Sequence, residues 1–413
     1  MKLLFKTFFF ILLSSVISAC SSLGKGMVEG FLENQNEADT RVCEIWGKAF
    51  GGLAPYLDNK VGKMKVLMVH GVGDHLPGYS TQFVEKLAKE LDLPVMSSQY
   101  KNITLTSRID DSKNLGNLRV TRFLSKNRSK EFMFYELTWS AITAKQKEVL
   151  AYDNSGEYSF RRAEINDLMK FLWNDTGPDP IIYLGESRED ILISFAQSFC
   201  WMIKSDWDNL PNGISQSCSF NDDNLANNLT VDRYAFVSHS LGSRITIDGL
   251  QRIASLIDKR DADFREALKH KKIPIFMMSN QLPMLQLGRK LPEVSNQKQS
   301  YCRAEGENYE NRMLAGTPII AFSDPNDLLS YAIPSGFVDK YLDSRLCTDV
   351  TNININVAKI INAFNFGKVA NPLDAHIGYD NDDRVIALIA KGIGNNRTSK
   401  KVSERCQWVE TID

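Results

Sequence analysis

Three side chains, far apart in the chain, have the types and settings for nucleophilic acyl chemistry. Ser240 stands in Val237-Ser238-His239-Ser240-Leu241-Gly242-Ser243, between an apolar run of strand length (Arg233 to Val237) and a helical pattern (Leu241 to Ile257). A strand that turns straight into a helix pushes the residue at the corner outward, and it needs small residues two before and two after to close. Here those are Ser238 and Gly242. The helix would point its free N–H groups and positive dipole end at the same corner. A serine in this place also reads as a simple helix cap. His376, in Asp374-Ala375-His376-Ile377-Gly378-Tyr379, precedes a closing helical pattern, Arg384 to Ile393. Between serine and histidine, the buried run Ile320-Ala321-Phe322 ends in Ser323-Asp324-Pro325-Asn326-Asp327-Leu328-Leu329. Asp324 and Asp327 both lie where a carboxylate could orient an imidazole, and either could cap the turn instead.

A second turn has backbone chemistry to offer. Val69-His70-Gly71-Val72-Gly73-Asp74-His75 follows the strand-length run Lys65 to Val69. Two glycines let the main chain turn an N–H towards a ligand. A phosphate-binding loop would require GxxxxGK[ST] or GxGxxG, and neither is present.

The elements that must position these groups alternate. Apolar runs of strand length at 65–69, 118–123, 132–137, 233–237, 273–278, 318–322 and 353–357 are interleaved with helical spacings at 82–91, 141–151, 160–173, 189–203, 241–257 and 384–393. Buried strands alternating with amphipathic helices predict an α/β protein, a mostly parallel sheet with helices on both faces. Sites on such sheets lie at the carboxyl ends of the strands. The interval from His70 to Ser240 is long for neighbouring strands, which predicts a helical cap inserted at about 140–228. Within it, 205–230 is rich in Asn, Asp and Ser and reads as a surface loop. Trp139, ending the run Phe134 to Ser140, reads as a core aromatic or an apolar wall of the cleft; 280–285 reads as an apolar rim or as packing.

The motif around Ser240 resembles the nucleophile elbow of α/β-hydrolases, G-x-S-x-G, with Ser238 in place of the first glycine. The His70 loop resembles the H-G-x-G oxyanion loop of the same superfamily, and the order Ser, Asp, His along the chain is also similar. The resemblance spans about residues 64 to 393. It implies the α/β-hydrolase fold, with Ser240 as nucleophile, His376 as base and Asp327, before an apolar pair, as the acid ahead of Asp324. Oxyanion donors would be the N–H groups of Leu241 and Val72, with His70 supporting the loop. The implied activity is hydrolysis of carboxylic esters, lipid esters included, with no metal or organic cofactor. An inactive binding or scaffold protein on the same fold, or an amide or thioester hydrolase, is the alternative.

The N-terminus suggests where this chemistry happens. Lys2 and Lys6 flank the start of an apolar run, Leu3 to Val16, followed by Ile17-Ser18-Ala19-Cys20. The run is short for a membrane span and reads as a secretory signal. Its end resembles the lipobox of bacterial lipoproteins. That implies a signal peptide at 1–19, a lipidated Cys20 heading a tether and lead-in at 20–63, and the hydrolase domain at 64–413. Ser21 favours the outer membrane of the envelope if the cell is Gram-negative. The six cysteines beyond Cys20 suit an oxidising compartment. The expected pairs are Cys200 with Cys218, Cys302 with Cys347 and Cys43 with Cys406; free buried thiols are the alternative. With 49 basic and 50 acidic residues the chain has no field to draw nucleic acid. The partners expected are a small-molecule or lipid ester and the membrane.

Overall fold

The computed structural model describes residues 41–413, apart from 59–61, 95–98, 111, 155–161, 221–224, 363–367 and 410–413. The expected signal peptide, Cys20 and the tether beyond it lie outside the described residues. The strands are β1 (Cys43–Trp46), β2 (Met64–Val69), β3 (Gln99–Thr106), β4 (Asn114–Leu124), β5 (Glu131–Thr138), β6 (Ile214–Ser215), β7 (Arg233–His239), β8 (Ile275–Met278), β9 (Thr317–Ser323), β10 (Thr348–Ile355), β11 (Ile360–Asn362), β12 (Lys368–Ala370) and β13 (Cys406–Val409). The helices that bear on the site are α1 (Thr81–Glu90), α2 (Ala141–Ala151), α3 (Glu164–Thr176), α4 (Pro178–Leu184), α5 (Arg188–Lys204), α6 (Leu241–Ala254), α7 (Pro372–Ile377) and α8 (Asp383–Lys391).

The main sheet runs β13-β1-β10-β9-β8-β7-β2-β5-β4-β3-β6. From β10 to β5 every pairing is parallel. Beyond that block, β4 and β3 form an antiparallel extension, and β1 returns antiparallel to β10. The chain is therefore α/β with a large, mostly parallel sheet. Strand β2 shows why both faces are covered. Leu67 and Val69 enter one core with α5 and α6. Met64, Val66 and Met68 enter the other with α1 and α8. Successive side chains of a strand point to opposite faces, so an uninterrupted apolar run needs two layers of helices.

Several expectations change. The lead-in is not merely a tether: Cys43 to Trp46 pair with Ile355 to Asn352, so the sheet begins well before residue 64. The run at 353–357 is the end of β10 and not the last strand, because β13 follows. The stretch 205–230 contains a short strand, a helix and buried Leu210, Cys218, Leu225 and Leu229, tied down by a disulfide to Cys200. The insertion at 140–228 divides in two. Helix α5, apolar almost all round, lies in the core with α6 and under the sheet, as such helices do. Helices α2, α3 and α4 reach the carboxyl edge, where Lys147, Asp175 and Asp179 meet the loop after β2. The three disulfides are Cys43–Cys406, Cys200–Cys218 and Cys302–Cys347. No helix among the described residues is long and apolar enough to cross a membrane.

Candidate active site

β7 delivers Ser240 at the carboxyl edge of the sheet. The turn into α6 is so tight that Ser240 takes φ 53°, ψ −125°. A non-glycine residue in that region costs about 1–3 kcal/mol and persists only where its surroundings hold it. The hold is visible: the Ser240 N–H donates to the Met278 carbonyl at the end of β8. Gly242 is needed for close approach, since a Cβ there would lie 2.3 Å from the Val69 carbonyl oxygen. Ser238, the non-glycine partner in the motif, is wholly buried and fits.

His376 comes from α7, and its Nε2 lies 3.1 Å from Ser240 Oγ. Its Nδ1 lies 3.0 Å from each carboxylate oxygen of Asp327. With Nδ1–H given to the carboxylate, Nε2 is free to accept the serine proton. Burial alone would raise the Asp327 carboxyl. The hydrogen bond and charge of His376, with the Leu329 N–H and the Ser279 hydroxyl, outweigh it and hold Asp327 below the ordinary carboxylate range.

Asp324 is engaged elsewhere. Its Oδ2 accepts the N–H groups of Val357 and Ala358, and its Oδ1 those of Asn326. It pins the turn after β9 to the exit of β10 and makes no hydrogen bond to His376.

The His70 loop meets the serine directly. A Cβ added to Gly71 would stand 2.7 Å from Ser240 Cβ and 3.2 Å from its Oγ, so only glycine lets the loop approach. His70 Nε2 accepts the Trp139 N–H, which leaves Nδ1–H to donate to the Gly71 carbonyl. Because the peptide is planar and trans, fixing that carbonyl fixes the Val72 N–H in the opposite direction. Burial, with the neighbouring His75, keeps His70 far below the ordinary histidine range and so neutral. Trp139 is no cleft wall. It is wholly buried, stacks on His70, and its indole N–H donates to the His70 carbonyl. Leu241, the first residue of α6, is buried beside Ser240. Of the stretch 280–285, Asn280, Gln281 and Leu282 are buried, so it packs and forms no rim.

Three sets of residues at the site carry no sequence motif. Ser279, at φ 48° just after β8, donates to Asp327 Oδ2 at 2.7 Å and lies 3.0 Å from His376 Nδ1. His239, next to Ser240, donates from Nε2 to the His376 carbonyl at 2.8 Å. Burial first, then the His376 ring, push His239 down to about 3, so it stays neutral. The third set fixes the His70 loop from above: Asp179 on α4 accepts the Gly73 N–H at 2.7 Å, and Asp175 at the end of α3 accepts the Asp74 N–H at 3.2 Å. Lys147 on α2 neutralises both carboxylates. Their only sequence signal is acidic residues in a helical stretch, which usually means a solvated face.

No protein-family model, curated protein or solved structure matches this chain. The functional reading therefore rests on the geometry.

Proposed function

We propose that this chain is a serine hydrolase of the α/β-hydrolase type that cleaves carboxylic esters through an acyl-enzyme. The observation that carries the reading is the relay of contacts from Ser240 Oγ to His376 Nε2 and from His376 Nδ1 to Asp327, on a serine held at positive φ. His376 takes the Ser240 proton as Oγ attacks the carbonyl carbon, and Asp327 stabilises the imidazolium. The N–H groups of Leu241 and Val72 receive the oxyanion, each lowering the barrier by about 3 kcal/mol. His376 returns its proton to the leaving alcohol, then activates water to release the acid. The strain at Ser240 argues against the scaffold reading, because a merely structural serine would have no reason to hold that conformation.

In this proposal the Cys20 thiol receives diacylglycerol, becomes the N-terminus when residues 1–19 are removed, and tethers the domain to a bacterial envelope membrane, where lipid and other acyl esters are at hand. The test is hydrolysis of p-nitrophenyl esters together with labelling by a fluorophosphonate. Both are expected for the native chain, and both should vanish in Ser240→Ala. Unchanged turnover in that variant would falsify the assignment.

A further inference from the structure

Helix α3 breaks the rule that an amphipathic helix hides its apolar stripe. Leu168, Met169, Phe171, Leu172 and Trp173 share one broad arc of it, opposite Asn166, Asp167, Lys170 and Asn174. No described side chain of α3 is buried. Met169, Phe171 and Trp173 are 64%, 64% and 65% exposed. The helix is fastened to the catalytic edge by its last turn, where Asp175 holds the Asp74 N–H. Further exposed apolar side chains surround the same edge: Leu76 on the His70 loop, Ile181 on α4 and Leu328 beside Asp327. They come from separate elements, a loop, a helix and a turn, and together they rim the carboxyl edge. The turn between β4 and β5, at the opposite end of the sheet, reads Ser125-Lys126-Asn127-Arg128-Ser129-Lys130 and has no apolar residue.

The occupant follows from where the chain enters. Because β1 runs antiparallel to β10, Cys43 lies beside Ile355, at the carboxyl end of the sheet. Arg41 is fixed there by donating to the Val357 carbonyl. Residues 1–40 therefore join the domain at the same edge as Ser240. They include the apolar run and Cys20. The stretch from Cys20 to Arg41 can span at most about 70 Å. We propose that the carboxyl-edge rim, led by α3, is a docking surface for a lipid bilayer, which then faces the edge that carries Ser240. Apolar burial into the headgroup boundary drives the contact, so it resists salt. The inference takes the anchor from the proposed function but does not require Ser240 to be catalytic.

The test uses the full chain reconstituted into phosphatidylcholine vesicles, with plain or brominated acyl chains. Bromine quenches tryptophan emission on contact. Trp173 lies on the proposed surface, and Trp408, on the lateral edge strand β13, serves as control. Brominated vesicles should quench the native emission. Trp173→Phe should lose most of that quenching, also at high salt, and Trp408→Phe should keep it. The double variant Phe171→Gln, Leu172→Gln should also lose it. Its hydrolysis of a bilayer-embedded ester should fall about tenfold, with soluble p-nitrophenyl acetate turnover within about twofold of native. Equal quenching in Trp173→Phe and native chain would overturn the proposal, since a tryptophan outside α3 would then be the one that meets lipid. So would no quenching with a doubled mass by light scattering, which would assign the rim to a second copy. Ser240→Ala separates the two readings: its quenching reports docking whether or not any ester is cleaved.

Discussion

The two ends of the sheet are built from the same strands and treat polar groups in opposite ways. At the amino ends, Asp232 draws the strands together. Its Oδ2 meets the fully buried Lys65 Nζ at 2.7 Å, and its Oδ1 accepts the Lys63 N–H. Lys65 also donates to the Ser205 carbonyl, and Lys271 to the carbonyls of Thr230 and Asp232. Burial, with Arg233 nearby, lowers Lys271 to about 8. A cavity of about 720 Å³ opens there, lined by Tyr56, Arg233 and Lys271, and it contains none of the catalytic candidates. At the carboxyl ends, Ser240 and Ser279 sit at positive φ, and histidines are held neutral by burial. Cavity volume does not mark the chemistry in this molecule. The joined contacts of Ser240, His376 and Asp327 mark the candidate site instead, since positive φ also occurs at Arg128 and Cys347 and Lys271 is perturbed at the amino end.

The comparison can be broken by substitutions at either end. The largest effect is expected for Asp327→Asn, which leaves the fold intact but presents His376 with the wrong partner; kcat should fall about 10⁴-fold in initial-rate assays. Lys65→Ala at the other end should do the reverse. It strands a buried carboxylate and costs about 3–5 kcal/mol in urea unfolding, while turnover per folded molecule stays native. Loss of turnover in Lys65→Ala, in the fraction shown to be folded, would remove the distinction between the ends. Asp324→Asn sharpens it within one turn. Weakening a charged acceptor of two backbone N–H groups should cost about 1–3 kcal/mol of stability, with a far smaller change in kcat than Asp327→Asn.

The smallest net effect in the native chain is in pH dependence, where two buried groups oppose each other. His239 titrates at about 3 in the fold, below its ordinary value. The unfolded chain therefore binds the extra proton as pH falls from about 6.5, and this contribution to stability is lost in acid. Burial, partly offset by Lys86, raises Asp380 to about 7. Here the folded chain holds the extra proton, so stability falls as pH rises from about 4 to 7. Urea midpoints across this window should decline with rising pH in His239→Asn relative to the native chain. In Asp380→Asn they should climb. Identical profiles would mean that neither group is sequestered.

Much of the site could be read from residue order. Ser240 and Gly242 announce a tight corner, Gly71 and Gly73 a turned backbone, and His376 lies shortly before the closing helix, although it stands on the short helix α7. The apolar runs of β2, β7 and β9 appear within a residue or two of their ends. Other parts were hidden for physical reasons. β3 mixes polar and apolar residues because it lies in the antiparallel extension, half exposed. β1 and β13 are only four residues each and are defined by their partners rather than by their own pattern. Helices α3 and α5 both read as helical segments of one cap, yet α5 buries most of its length and no described side chain of α3 is buried. The difference lies in the composition of the polar face, which is nearly absent from α5. Ser279 and Asp179 act through tertiary contacts only, and a lone serine or aspartate carries no mark of that.

The bond between Cys43 and Cys406 joins the first strand of the sheet to the last, across 363 residues of sequence. The domain from Cys43 to Cys406 is thus covalently a ring. A single protease cut in any exposed connection between those cysteines would open the ring without releasing a piece. The nicked molecule should keep its mass and migrate as one band until a reductant is added, when it should part into fragments. Damage to one peptide bond therefore need not end the working life of the domain.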